Sequence, residues 1–123
     1  YDREKRISYL VGELARSPDR QQAALDELAK DGDAAYIYLL GYLDDPRPLA
    51  SESLRFLSTS PRRVERYHLT KASTVGEALL RYMCWSTEQC HPPVFDLTPS
   101  ARAANKKIVI AYCEERWLYP SQY

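Results

Sequence analysis

Cys84 and Cys90 stand a few residues apart, just ahead of Pro92-Pro93, and they are the pair in this chain best spaced for covalent chemistry. A disulfide between them would staple a loop that helical packing cannot hold. In so short a loop the chain-entropy model gives a stabilisation of roughly 2 kcal/mol. Such bonds persist in oxidising compartments. Cys113 would then be a free buried thiol, or would pair with one of the other two. The plain alternative is three reduced cysteines acting as small apolar residues. Cys90 lies in a polar loop, where a small hydrophobe has no purpose, and this favours the Cys84–Cys90 bond. Cys84, Cys90, His91 and Cys113 also form a Cys3His set, but they lack the close C-x-x-C knuckle of structural zinc. No metal or cofactor is expected.

Catalysis asks for a nucleophile beside a base, or for paired acids facing a cleft. His68 lies among arginines, which oppose its protonation, and His91 precedes Pro92 in a loop. Glu114-Glu115 and Asp44-Asp45 are adjacent pairs whose side chains diverge, so they read as a solvated face and as turn capping. The glycines, Gly12, Gly32, Gly41 and Gly76, are scattered and form no phosphate loop. The expectation is a protein that is not an enzyme.

Binding chemistry is better represented. The chain has 10 tyrosines against 2 phenylalanines. Tyrosine joins apolar area to a hydroxyl, and with arginine it dominates interface energetics. Tyr38 and Tyr42 sit at i, i+4 off the neighbouring apolar stripe, which predicts an outward aromatic strip. Arg55, Arg62, Arg63, Arg66 and Lys71 form a local basic surplus. They would either dock an acidic partner patch or simply pair with acids on neighbouring helices. Tyr38, Tyr42, Arg62, Arg63 and Arg66 are the candidate partner-binding residues. Across the whole chain 17 basic and 17 acidic residues cancel, which argues against general nucleic-acid binding. No stretch approaches the roughly 18 apolar residues of a membrane-spanning helix.

These residues need elements to position them, and 123 residues suffice for one domain with its own core. Ile7, Leu10, Val11 and Leu14 predict a first helix from Asp2 to about Arg16. Ser17 as N-cap with Pro18 behind it starts a second, which Asp31-Gly32 ends. Asp33 caps a third, with Tyr36, Leu39, Leu40 and Leu43 on one face. After the break at Asp44–Pro48, Leu49, Ser53, Phe56 and Leu57 suggest a fourth, ending at Ser60-Pro61. The segment from Pro61 to Ala72 is weakly patterned, with room for one helical turn. Thr74 and Glu77 match a capping box for a fifth helix. Cys84 to Leu97 is irregular, since Pro92-Pro93 forbids helix. Thr98-Pro99 starts a sixth, which runs to about Trp117. That helix is apolar nearly all round and includes Ile108, so it is expected to be the central packed helix. The prediction is an all-α domain spanning residues 1–123, with about six helices in antiparallel pairs.

The helix, Asp-x-Pro turn and helix read over Asp33–Pro61 resemble a HEAT or armadillo-type repeat. That resemblance implies a right-handed stack of helix pairs that binds proteins; a compact helical bundle is the competing arrangement. In general character the chain is also similar to bacterial immunity proteins, which neutralise secreted toxins in the periplasm. This implies a toxin or effector as partner, occlusion of its active site, and a periplasmic or secreted location. The chain begins at Tyr1 without methionine, so a preceding segment is expected to have been removed, by a signal peptidase or in preparation. The alternative is a cytoplasmic adaptor or scaffold with reduced cysteines.

Overall fold

The computed structural model describes residues 2–59, 66–90 and 98–118. Among them lie five α-helices and one two-stranded antiparallel sheet: α1 (Asp2–Glu13), α2 (Pro18–Asp31), α3 (Asp33–Leu39), β1 (Ser53–Leu57), β2 (Tyr67–Lys71), α4 (Val75–Thr87) and α5 (Pro99–Cys113). A 3-10 turn, Leu40–Tyr42, extends α3, and a π-helical turn, Glu114–Leu118, extends α5. None of the described helices is long and apolar enough to cross a membrane.

Local signals set most helix ends. The Ser17 hydroxyl accepts the Arg20 N–H at 3.3 Å ahead of Pro18. Gly32 takes φ +60 where α2 turns into α3, a conformation that glycine adopts without a Cβ penalty. Thr74 accepts the Glu77 N–H at 3.2 Å, and Thr98 accepts the Ala101 N–H at 3.2 Å. Helix α4 ends with Glu88 in the left-handed region, at φ 59. The chain thereby doubles back, and Cys84 and Cys90 are joined in a disulfide with Cα atoms 5.2 Å apart.

The expected fourth helix is a strand, so the fold is mostly helical but not all-α. Ser53-Leu54-Arg55-Phe56-Leu57 alternates out and in: Leu54 and Phe56 are buried, while Ser53 and Arg55 face solvent. That is the period of a strand, in which successive side chains point to opposite faces. The helical stripe through Ser53 and Phe56 had put an exposed serine on the core side. The weakly patterned segment after it supplies β2, which pairs Leu54 with Thr70 and Phe56 with His68. The stretch that carries the HEAT resemblance therefore runs helix, turn and strand.

The second correction concerns the centre. Every residue of α4 from Val75 to Cys84 is buried, whereas α5 buries only one stripe, Asn105, Val109 and Cys113. Ala104 and Ala111 are exposed and Ile108 is only partly covered. Alanine counts as apolar by type, yet it has little surface to bury, so α5 reads more apolar than it packs. In α4 the charged Glu77 and Arg81 disguise a helix that is enclosed on all sides.

Two devices hold the other elements to this centre. The loop after α3 presses on the start of α4: the Gly76 N–H donates to Asp45 O at 3.0 Å and the Val75 N–H to Arg47 O at 2.8 Å. Asp45 keeps that loop in shape by accepting the Arg47 backbone N–H and its guanidinium, at 2.7–3.1 Å. At the far edge of the sheet, the Gln21 side-chain amide donates to Ser51 O at 3.0 Å and accepts the Ser51 N–H at 2.9 Å. Gln22 donates to Arg55 O at 2.9 Å. Helix α2 thus covers part of the edge of β1 with side-chain amides.

Gly76 is the tightest point. A Cβ there would lie 2.6 Å from both Asp45 N and Leu43 O, which are backbone atoms that cannot rotate away. Gly76→Ala should therefore destabilise by about 1–3 kcal/mol through overpacking, although alanine favours helix by about 1 kcal/mol. Urea unfolding measures this, and a stabilised variant would show that the loop yields easily.

Candidate partner-binding surface

The hairpin has two unlike faces. Its inner face is a column of rings. His68 stacks on Trp85 at 5.3 Å and 14°, and on Phe56 at 6.2 Å and 25°, while Phe56 meets Tyr82 edge-on at 5.4 Å. The Arg81 guanidinium donates to the Thr70 hydroxyl at 3.3 Å. Both inward residues of β2 are thereby fixed to α4, and Gln21 and Gln22 fix β1 to α2. The sheet is small but braced from two helices.

Its outer face carries Arg55, Tyr67, Leu69 and Lys71. In register, Arg55 faces Leu69, Ser53 faces Lys71 and Leu57 faces Tyr67. Leu69 is 73% exposed and Tyr67 38%. The Arg55 guanidinium lies 4.5 Å from the centre of the Tyr67 ring, a cation–π contact that links the two side chains across the hairpin. Arg66, at the start of β2, is also exposed. Among the described residues, Arg55, Arg66 and Lys71 enter no ion pair. An apolar residue ringed by Tyr, Arg and Lys therefore stands at the surface on a rigid support.

The edge of β2 adds hydrogen-bonding groups. The Ser58 N–H donates to Arg66 O and the Ala72 N–H to Glu52 O, so the even-numbered residues of β2 turn their peptide groups toward β1. The peptide groups of Tyr67, Leu69 and Lys71 point the other way. Among the described residues no backbone group bonds them.

Of the candidates read from sequence, Arg66 is exposed just ahead of β2, while Arg62 and Arg63 lie outside the described residues. Tyr38 and Tyr42 do not form an outward strip. Both are half-buried and packed against the core. The winding changes from α to 3-10 at Leu40, which shifts the angular spacing of the two tyrosines away from the i, i+4 expectation. Tyr67 and Leu69 were missed. Their signal is alternation with Lys71 at i, i+2, i+4, partly hidden because the inward partners, His68 and Thr70, are polar.

Behind the ring column, α3 and α4 share a hydroxyl pair, Tyr36 Oη and Ser86 Oγ. Burial raises the Tyr36 phenol from 10.0 to about 12, opposed by the Ser86 bond and reinforced by the charge of Asp33. Burial raises Tyr82 as well, and it pushes the Cys113 thiol up to about 11. Cys113 is thus an inert core residue. With Cys84 and Cys90 bonded to each other, neither serves as a thiolate ligand. Comparison with protein-family models, curated proteins and solved structures finds no match, so the chain's own residues carry the functional reading.

The raised phenols give a pH dependence of definite sign. Folding favours the protonated Tyr36, so its contribution is complete below pH 10.0 and is lost as pH climbs through about 12. Stability should fall there by up to about 1.4 kcal/mol per pH unit for each such phenol. Tyr36→Phe should make that slope shallower in denaturant titrations, and an unchanged slope would mean that Tyr36 titrates normally.

Proposed function

We propose that this chain is a non-enzymatic protein-binding module, an immunity or inhibitor protein that neutralises a secreted bacterial toxin by laying the outer face of its hairpin over the toxin's active site. One observation carries the reading: an exposed leucine, Leu69, is ringed by Tyr67, Arg55 and Lys71 on a sheet braced from two helices. Exposed large apolar side chains on a rigid support favour a partner surface, and Tyr and Arg are the residue types that anchor one. The cations in a chain of zero net charge favour an acidic patch on the partner and faster association with it. The Cys84–Cys90 disulfide supports a periplasmic or secreted location. The hairpin replaces Tyr38, Tyr42 and the arginines of the inter-strand segment as the leading contact surface.

The test uses the toxin that this reading places beside the chain in its genome. Leu69→Asp and Arg55→Glu should each weaken that complex by about 30-fold or more, the loss expected of a hot spot. The folding free energy should change by no more than about 0.5 kcal/mol, because both positions are exposed. Lys107→Ala, on the exposed side of α5, should bind as the parent does. Unchanged affinity in both hairpin variants, measured by calorimetry, would place the interface elsewhere.

A further inference from the structure

How a partner is held to the hairpin, given that the hairpin is its contact surface, follows from the outer edge of β2. Phe56 pairs with His68 and Leu54 with Thr70, so the peptide groups of the even-numbered residues are spent on β1. Those of Tyr67, Leu69 and Lys71 point away from it. The same three residues carry the exposed face of the strand. Leu69 is 73% exposed. A strand residue with neighbours on both edges is covered by their side chains, so an exposure this high leaves the outer edge clear at Leu69. His68 and Thr70 tie the strand to α4, which presents that edge in a fixed position.

We infer that the partner adds an extended acidic segment to this edge as a third, antiparallel strand. Tyr67, Leu69 and Lys71 would then each exchange both backbone hydrogen bonds with one residue of the added strand. Alternate side chains of that strand stand on the outer face, one beside Leu69 and the next beside Lys71 and Tyr67. The first of those neighbours meets the Lys71 ammonium. The other meets the Arg55 guanidinium, which lies over the Tyr67 ring and so reaches past its own strand toward the edge. Carboxylates suit both places, and an aliphatic side chain suits the middle. The charge of the whole segment agrees. From Glu52 to Lys71 five basic residues stand against two acidic ones, in a chain of zero net charge. The same cations count against a second copy of this chain, because pairing two β2 edges brings like charges together.

Amide exchange and NMR titration of the folded chain test this. In the free chain the N–H groups of Leu69 and Lys71 should exchange at least about tenfold faster than those of His68 and Thr70. The capped peptide Thr-Glu-Thr-Val-Thr-Glu-Thr should shift the Leu69 and Lys71 amide signals saturably at about millimolar concentration and slow their exchange. Thr-Lys-Thr-Val-Thr-Lys-Thr should bind about tenfold more weakly. N-methylation of the valine removes the N–H opposite Leu69 while keeping every charge, and it should abolish the shift. Slow exchange of Leu69 in the free chain, no saturable shift at about 20 mM acidic peptide, or equal binding of the N-methylated or the cationic peptide overturns the proposal. The outer face is judged separately, by Leu69→Asp against the toxin. A loss there without strand addition keeps the face and removes this mode of binding.

Discussion

The close approach of the Leu43–Arg47 loop to Gly76 is the constraint on which the other packing depends. Two backbones meet there with no space for a Cβ, and the first N–H groups of α4 are taken up by loop carbonyls. This lets α4 sink into the protein with its N-terminus satisfied rather than capped by water. The helices before it and α5 after it then close around its sides. Leu79 and Met83, fully buried, lie at the middle of that enclosure.

Enclosing a helix that carries Glu77 and Arg81 has a cost, which a polar link between sheet and helix offsets only in part. The two side chains are 9% and 6% exposed and pair at 3.7 Å, while Arg81 reaches across to Thr70. Burial lowers the Arg81 pKa despite the neighbouring carboxylate. Buried ion pairs of this kind seldom add net stability, but losing one partner leaves a stranded charge. Their effect here is positional: Arg81 fixes where β2 lies on α4, much as Gln21 fixes where the chain enters β1. Both keep a two-stranded sheet, marginal by itself, in one place. The hairpin's outer face is a consequence of that placement.

The features legible in sequence were those determined within a few residues. Ser17-Pro18, Gly32, Thr74 with Glu77, and Thr98-Pro99 all end or start helices as read, because capping is local chemistry. The Cys84–Cys90 bond was legible for the same reason. What failed needed long-range information. β2 turns His68 and Thr70 inward, so no apolar alternation announces it, and its face packs on distant residues, the rings of Phe56 and Trp85 and the Arg81 guanidinium. The rank of α4 over α5 was hidden because a buried glutamate–arginine pair reads as surface, while exposed alanines read as core. The candidate surface followed the strand: once Ser53–Leu57 is extended, Arg55 and Leu69 become neighbours, which no helical reading brings together.

The claim beneath the rest is that α4 is the enclosed centre and α5 a one-sided flank. Native-state hydrogen exchange tests it residue by residue, since amides of the most buried element open only with global unfolding. The amides from Ala78 to Met83 should be the slowest in the chain and should exchange at the free energy of complete unfolding, with those of α5 opening earlier. If the α5 amides around Ile108 and Val109 are instead the last to exchange, the centre has been assigned to the wrong helix.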